Sequence, residues 1–124
     1  MTETYTGTDF YCDVALPHLD RLGLVETTDH AVAYHHTRPF WPVHVVVVPR
    51  ADLSSFTTVT SADEPVLRDL LAVVQRVAAT VEREHGAARV LTNLGRYQDS
   101  KHLHVHVSSG EPLRPTGQGD TGAC

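Results

Sequence analysis

Basic residues are scarce and scattered: 10 Lys and Arg stand against 15 Asp and Glu in 124 residues, a formal net charge of −5 with neutral histidines. Neutralising a phosphate backbone takes a basic stripe, so a nucleic acid gripped along its backbone is excluded as a partner. No apolar stretch reaches the roughly 20 residues that a spanning helix needs. The opening Met-Thr-Glu-Thr-Tyr-Thr-Gly-Thr-Asp has neither the basic nor the apolar part of a signal peptide. The expectation is a cytoplasmic protein with no membrane partner. Cysteine is nearly missing: Cys12 and Cys124 form no Cys-x-x-Cys, which removes the common zinc and dithiol spacings. A disulfide between them is not expected in a reducing cytosol. Repeats and long linkers are also lacking, so one domain is expected over residues 1–124. Its polar start, 1–9, and its Gly-, Pro- and Thr-rich end, 111–124, are expected to be flexible.

What the chain does have is histidine, nine in all, three of them in the run His102-Leu103-His104-Val105-His106-Val107-Ser108. Side chains of a strand alternate faces, so His102, His104 and His106 share one side while Leu103, Val105 and Val107 share the other. An exposed strand face ordinarily mixes Thr, Lys and Glu. A row made only of imidazole, which titrates near neutrality and both donates and accepts, marks a candidate site. His18, His30, His35 and His85 carry no such spacing and read as surface residues.

The remaining pattern gives an α+β fold with an antiparallel sheet and one long helix. Leu22 to Val25 and Ala31 to His35 flank a turn composition and form a hairpin. His36-Thr37-Arg38-Pro39-Phe40-Trp41-Pro42 is a stiff loop, because each proline fixes its own backbone and restricts the residue before it. Val43-His44-Val45-Val46-Val47-Val48, ended by Pro49, is a central strand apolar on both faces, which places His44 inside the protein. From Ser61 to Gly86 the apolar residues Leu67, Leu70, Leu71, Val74, Val77 and Val81 recur every three or four positions. Ser61 or Asp63 caps the start, Pro65 occupies an initial position, and Gly86 ends the helix. Val90 to Asn93 returns to a strand.

Two chemistries fit the histidines. His-x-His offers two metal ligands on one face, and His44 from a neighbouring strand supplies a third, so a metallohydrolase would use His44, His102 and His104. Alternate α-carbons lie roughly 6 to 7 Å apart, however, and three imidazoles in line do not converge easily on one ion. The other chemistry is nucleophilic attack on phosphorus. Neutral imidazole is nucleophilic without a separate base, and a labile P–N bond splits one difficult transfer into two easier steps. Neighbouring imidazoles then serve phosphoryl oxygens and the leaving group.

The run His102-Leu103-His104-Val105-His106-Val107 resembles the signature of the histidine-triad (HIT) superfamily of nucleotide hydrolases and transferases. Pro39-Phe40-Trp41-Pro42-Val43-His44-Val45-Val46-Val47-Val48-Pro49-Arg50 is similar to the family segment with two prolines, a histidine, an aliphatic strand, a proline and a basic residue. Asn93-Leu94-Gly95 resembles the family's Asn-x-Gly, and Gln98 stands four residues before the triad. The resemblance covers residues 12–108. It implies a HIT-like antiparallel sheet with one long helix, a homodimer with a continuous sheet, no cofactor, and a nucleotide or other phosphorylated small molecule as substrate. It further implies that His104 attacks the α-phosphorus to form a nucleotidyl-histidine and that His106 contacts the phosphate and leaving group. His44 and His102 would orient the nucleophile, and Asn93 and Gln98 would bind the substrate. Because the third triad position is His106 rather than glutamine, the chain looks like the hydrolase branches, which include phosphoramidases and dinucleoside-polyphosphate hydrolases. A protein that kept this fold and lost turnover would be a nucleotide-binding module.

Three positions differ from the family pattern. The missing Cys-x-x-Cys implies no metal. Two residues after Tyr34, where family members place an aspartate on the ribose hydroxyls, this chain has His36, and imidazole cannot accept from both hydroxyls as a carboxylate does. Tyr97-Gln98-Asp99-Ser100 replaces the usual approach to the triad, so that Asp99 stands where a hydroxyl meets the phosphate and Ser100 is the candidate for that role.

Overall fold

The computed structural model describes residues 23–98 and 100–113. Cys12, Cys124, His18, Asp99 and the expected flexible segments, apart from 111–113, lie outside the described residues. Five strands form one antiparallel sheet in the order β1-β2-β3-β5-β4. They are β1 (Leu24–Thr27), β2 (Ala31–His35), β3 (Val43–Pro49), β4 (Arg89–Leu91) and β5 (Val105–Ser109). Among the described residues one α-helix, α1 (Glu64–His85), follows a 3₁₀ turn at Ser61–Asp63. The α+β architecture is the one that the sequence pattern predicts.

β1 and β2 form the expected hairpin, closed by Thr28, whose N–H donates to the Ala31 carbonyl at 2.8 Å. The register of the central strands sets two faces. Ala33, Val47 and Val105 lie in line across β2, β3 and β5, and with Ala31, Val45, Val107 and Leu103 they form the core against α1. Tyr34, Val46 and His106 lie in line on the opposite face, with His44 beside Ser108. That second face is buried too: Val32, Tyr34, Val46 and Val48 are all inaccessible. Burial on both faces explains the unbroken valine run of β3.

The helix starts and stops almost where expected. Asp63 precedes its first turn, but the Asp63 carboxylate turns back to accept the Thr60 N–H at 2.9 Å instead of capping α1. Pro65 sits in the first turn, and Gly86 takes the left-handed conformation, φ 82°, which only glycine enters without strain. The buried stripe is Leu70, Val73, Val74, Val77 and Val81, with Leu67 half-buried at its edge. Val73 replaces Leu71 in the expected stripe. Leu71 lies about 100° round the helix from Leu70 and is 50% exposed.

The histidine strand begins later than its alternation suggests. β5 starts at Val105 because its ladder with β3 runs from Val43↔Ser109 to Val47↔Val105. Beyond it His102 and His104 occupy an irregular approach, which is anchored by the Leu103 N–H on the Leu53 carbonyl at 2.6 Å. The faces are nonetheless kept: Leu103 joins the core, and all three histidines are buried. At the other end of β5, Gly110 has φ 93°, and a Cβ there would lie 2.9 Å from the Pro42 ring, so the proline loop closes directly on the strand's end. The Leu113 N–H reaches the Phe40 carbonyl at 2.7 Å and ties the following residues to the same loop.

Candidate active site

The proline loop, β3 and β5 bring four imidazoles together. His44 projects from β3 into the face opposite α1. Its Nδ1 accepts the Phe40 N–H at 3.0 Å, so the proton of the neutral ring resides on Nε2 and is donated to His106 Nδ1 at 2.8 Å. His106 is thereby fixed with its own proton on Nε2. That Nε2 is buried and has no hydrogen bond among the described residues. Burial first, then repulsion from His104, His44 and His36, hold the His106 pKa far below the ordinary histidine value, so the ring is neutral.

His104 has the opposite tautomer. Its Nδ1 donates to the His102 carbonyl at 2.7 Å, which puts the lone pair of the neutral ring on Nε2. The His104 and His106 rings meet edge to face, with centroids 5.0 Å apart. Two adjacent residues on one face therefore present different chemistry: a lone pair at His104 and an N–H at His106.

His102 contributes through its backbone. Its ring turns away, where Nε2 donates to the Pro49 carbonyl at 2.7 Å and Nδ1 stands 3.9 Å from an Asp52 carboxylate oxygen. This corrects the three-ligand set His44, His102 and His104, because His102 directs both nitrogens elsewhere. The histidines whose ring nitrogens do come within 4.8 Å of one another are His36, His44 and His106.

His36 follows β2 and is buried, its ring stacked on His44 at 4.3 Å between centroids and 23° between planes. Its Nδ1 accepts the Arg38 N–H at 2.9 Å. Metal-bound histidines carry the lone pair toward the metal and an N–H on the other nitrogen. His36 and His44 are arranged the other way round, with both Nδ1 atoms accepting from backbone amides. The cluster is a set of N–H donors rather than a set of ligands.

Tyr34 is buried beside Val46 on the site face. Asn93 stands just beyond β4, and its Nδ2 is buried without a hydrogen bond among the described residues. Ser100 is buried before the triad. Gln98 is buried as well, but its Nε2 donates to the Ser54 carbonyl at 2.7 Å, which holds the loop. His30, His35 and His85 are exposed, as a surface reading requires.

Four further contacts around the site cannot be read from the sequence. Thr92 Oγ1 donates to the His104 carbonyl at 2.7 Å. The Trp41 ring stands edge-on to His44 at 5.0 Å. The Arg89 guanidinium lies over Trp41 at 5.2 Å and donates to Ser108 Oγ at 3.1 Å. Only the adjacency of Thr92 to Asn93 hints at any of them.

A buried row of histidines in the middle of a five-stranded antiparallel sheet backed by one helix defines a class of small α+β proteins with an imidazole-lined site. The HIT domain family model matches residues 23–113, and the chain belongs to that family. It is 29% identical over 120 residues to a HIT-like protein of Azospirillum brasilense, covering 93% of this chain and 96% of that one. It is 24% identical over 94 residues to the purine nucleoside phosphoramidase of Escherichia coli K12, covering 74% and 79% of the two chains. A histidine triad protein from Clostridium difficile shares the fold with a TM-score of 0.70 at 23% identity, over 90% of this chain and 98% of that one.

Proposed function

We propose that the protein is a nucleotide hydrolase or nucleotidyl transferase that works through a covalent nucleotidyl-histidine on His104. The observation that carries this reading is the pairing of opposite tautomers at His104 and His106. His104 Nδ1–H on the His102 carbonyl puts the lone pair of the neutral ring on Nε2, and His106, fixed by His44, carries an N–H on a ring that meets it edge to face. Attack of His104 Nε2 on the α-phosphorus forms a P–N bond while the bond to the departing amine or alcohol breaks, and the departing atom keeps the bonding electrons and takes up a proton from solvent. The positive charge that appears on the His104 ring is stabilised by the His102 carbonyl. His106 Nε2–H donates to a phosphoryl oxygen and to the departing atom, where negative charge collects. Water or another acceptor then adds to phosphorus and releases its proton to solvent, and His104 departs neutral.

The unsatisfied Asn93 Nδ2 supports a role for Asn93 as a phosphate donor, and Tyr34, His36 and Ser100 complete the substrate wall. The likeness to a purine nucleoside phosphoramidase favours an adenylated or guanylated phosphoramidate as the substrate. No helix among the described residues is long and apolar enough to cross a membrane, in keeping with a cytoplasmic protein. A homodimer also fits. Exposed apolar surface lies at Leu71, Phe56 and Val90, around a groove between α1 and the edge strand β4.

The test is mass spectrometry after rapid quenching with adenosine 5′-phosphoramidate. An adduct of one nucleotidyl group that is lost with its activity in His104→Ala is expected. Wild-type protein that binds the nucleotide but forms no adduct and turns nothing over would make this a binding module. Turnover without an adduct that persists in His104→Ala would overturn the mechanism.

A further inference from the structure

His36 carries an imidazole whose proton can be located. Because His36 Nδ1 accepts the Arg38 N–H, the neutral ring carries its proton on Nε2. Stacking on His44 holds the ring in place. The ring centroids of His36 and His106 are 5.8 Å apart, and both rings belong to the cluster whose nitrogens lie within 4.8 Å of one another. His106 adds a buried N–H without a hydrogen bond among the described residues. Arg38, two residues after His36, is exposed, and no carboxylate among the described residues pairs with it.

A pair of hydroxyls binds best to an acceptor such as a carboxylate. A cluster of N–H donors suits the reverse, an oxygen-rich anion. We propose that His36 is a specificity-determining residue that donates its Nε2–H to a second phosphoryl group of the nucleotide, beyond the one that His104 attacks. The inference rests on the nucleotide reading of the site, and names as its substrates nucleotides that carry two phosphoryl groups, the second either on the sugar or in the phosphate chain.

Equilibrium binding to the full-length protein tests it without depending on turnover. The ligands are adenosine 5′-monophosphate, adenosine 5′-diphosphate, and the 2′,5′- and 3′,5′-bisphosphates of adenosine. At least one doubly phosphorylated ligand is expected to bind tenfold or more tightly than the monophosphate, a ratio that one hydrogen bond to a charged group supports. The preferred ligand tells whether the second group sits on the sugar or in the chain. His36→Ala is expected to reduce the preference to within threefold, and His36→Gln, which keeps a donor near the Nε2 position, to retain most of it. His36→Asp is expected to reverse it.

Equal binding of all four ligands to the wild type would overturn the inference and leave the nucleotide reading standing. So would a preference that survives in His36→Ala and His36→Asp proteins with wild-type melting temperatures. Failure of all four to bind would sink both. Stoichiometric Zn²⁺ binding that disappears in His36→Ala would show that the cluster offers lone pairs, contrary to the assigned donors.

Discussion

His44 and His106 sit on adjacent strands with one ring nitrogen of each 2.8 Å from the other, and a backbone amide at Phe40 decides which of them donates. The direction of the His106 N–H is thus written into the proline loop. His44→Ala would leave the Phe40 N–H and His106 Nδ1 both buried without partners. Each orphaned group costs roughly 1 to 3 kcal/mol. A clear fall in the urea midpoint is expected, together with a fall in kcat as His106 loses its fixed tautomer. An unchanged midpoint would show that the contact contributes nothing.

Acid should weaken the fold before it weakens most carboxylate contacts. The folded His106 pKa lies far below the ordinary 6.5, mainly because the ring is buried, whereas the unfolded chain takes up that proton near 6.5. The unfolded state therefore binds more protons as pH falls below about 6.5, and folding stability, full above that value, is progressively lost. For one proton the slope approaches about 1.4 kcal/mol per pH unit. Urea denaturation between pH 8 and pH 5 measures it, and a flat profile would mean that His106 protonates as easily in the folded protein.

Thr92 holds the His104 backbone from the end of β4. Thr92→Val keeps the shape and removes the hydroxyl, at a cost of about 1 kcal/mol in stability. Because the freed carbonyl belongs to His104, the proposed nucleophile, kcat is expected to drop severalfold with little change in KM. Equal kcat in the two proteins would reduce Thr92 to a packing residue.

The exposed edge at β4 should be an interface. Val90 is 52% exposed on a three-residue edge strand, and Val90→Lys places a charge there without touching the core. Light scattering at micromolar concentration should give a dimer for the wild type and a monomer for the variant. A monomeric wild type would refute the assembly.

How much of this was legible in the chain depends on the kind of signal. The valine run, the helical spacing and the alternation of His102 to Val107 each encode a burial pattern, and burial is what the fold preserves. Leu71 misled because several helical positions fit a spacing of three or four and only packing selects among them. The late start of β5 was hidden because its cause is remote: the ladder with β3 stops at Val105, and the Pro49 carbonyl receives the His102 ring. Tautomers were equally out of reach, since they are set by amides at Phe40 and Arg38 whose positions exist only once the loop has folded.

The sheet order has a consequence for how the protein is made. β4 leaves the ribosome before β5 but among the described strands pairs with β5 alone, and β5 must enter between β3 and β4. Until that late segment arrives, the edge of β3 is open and β4 has nowhere to bond, so a nascent chain shows two unpaired edges to its neighbours. The strand that closes them is the one that carries His106. Completion of the sheet and assembly of the histidine row are a single event, so a chain that has not finished folding carries no assembled row of imidazoles.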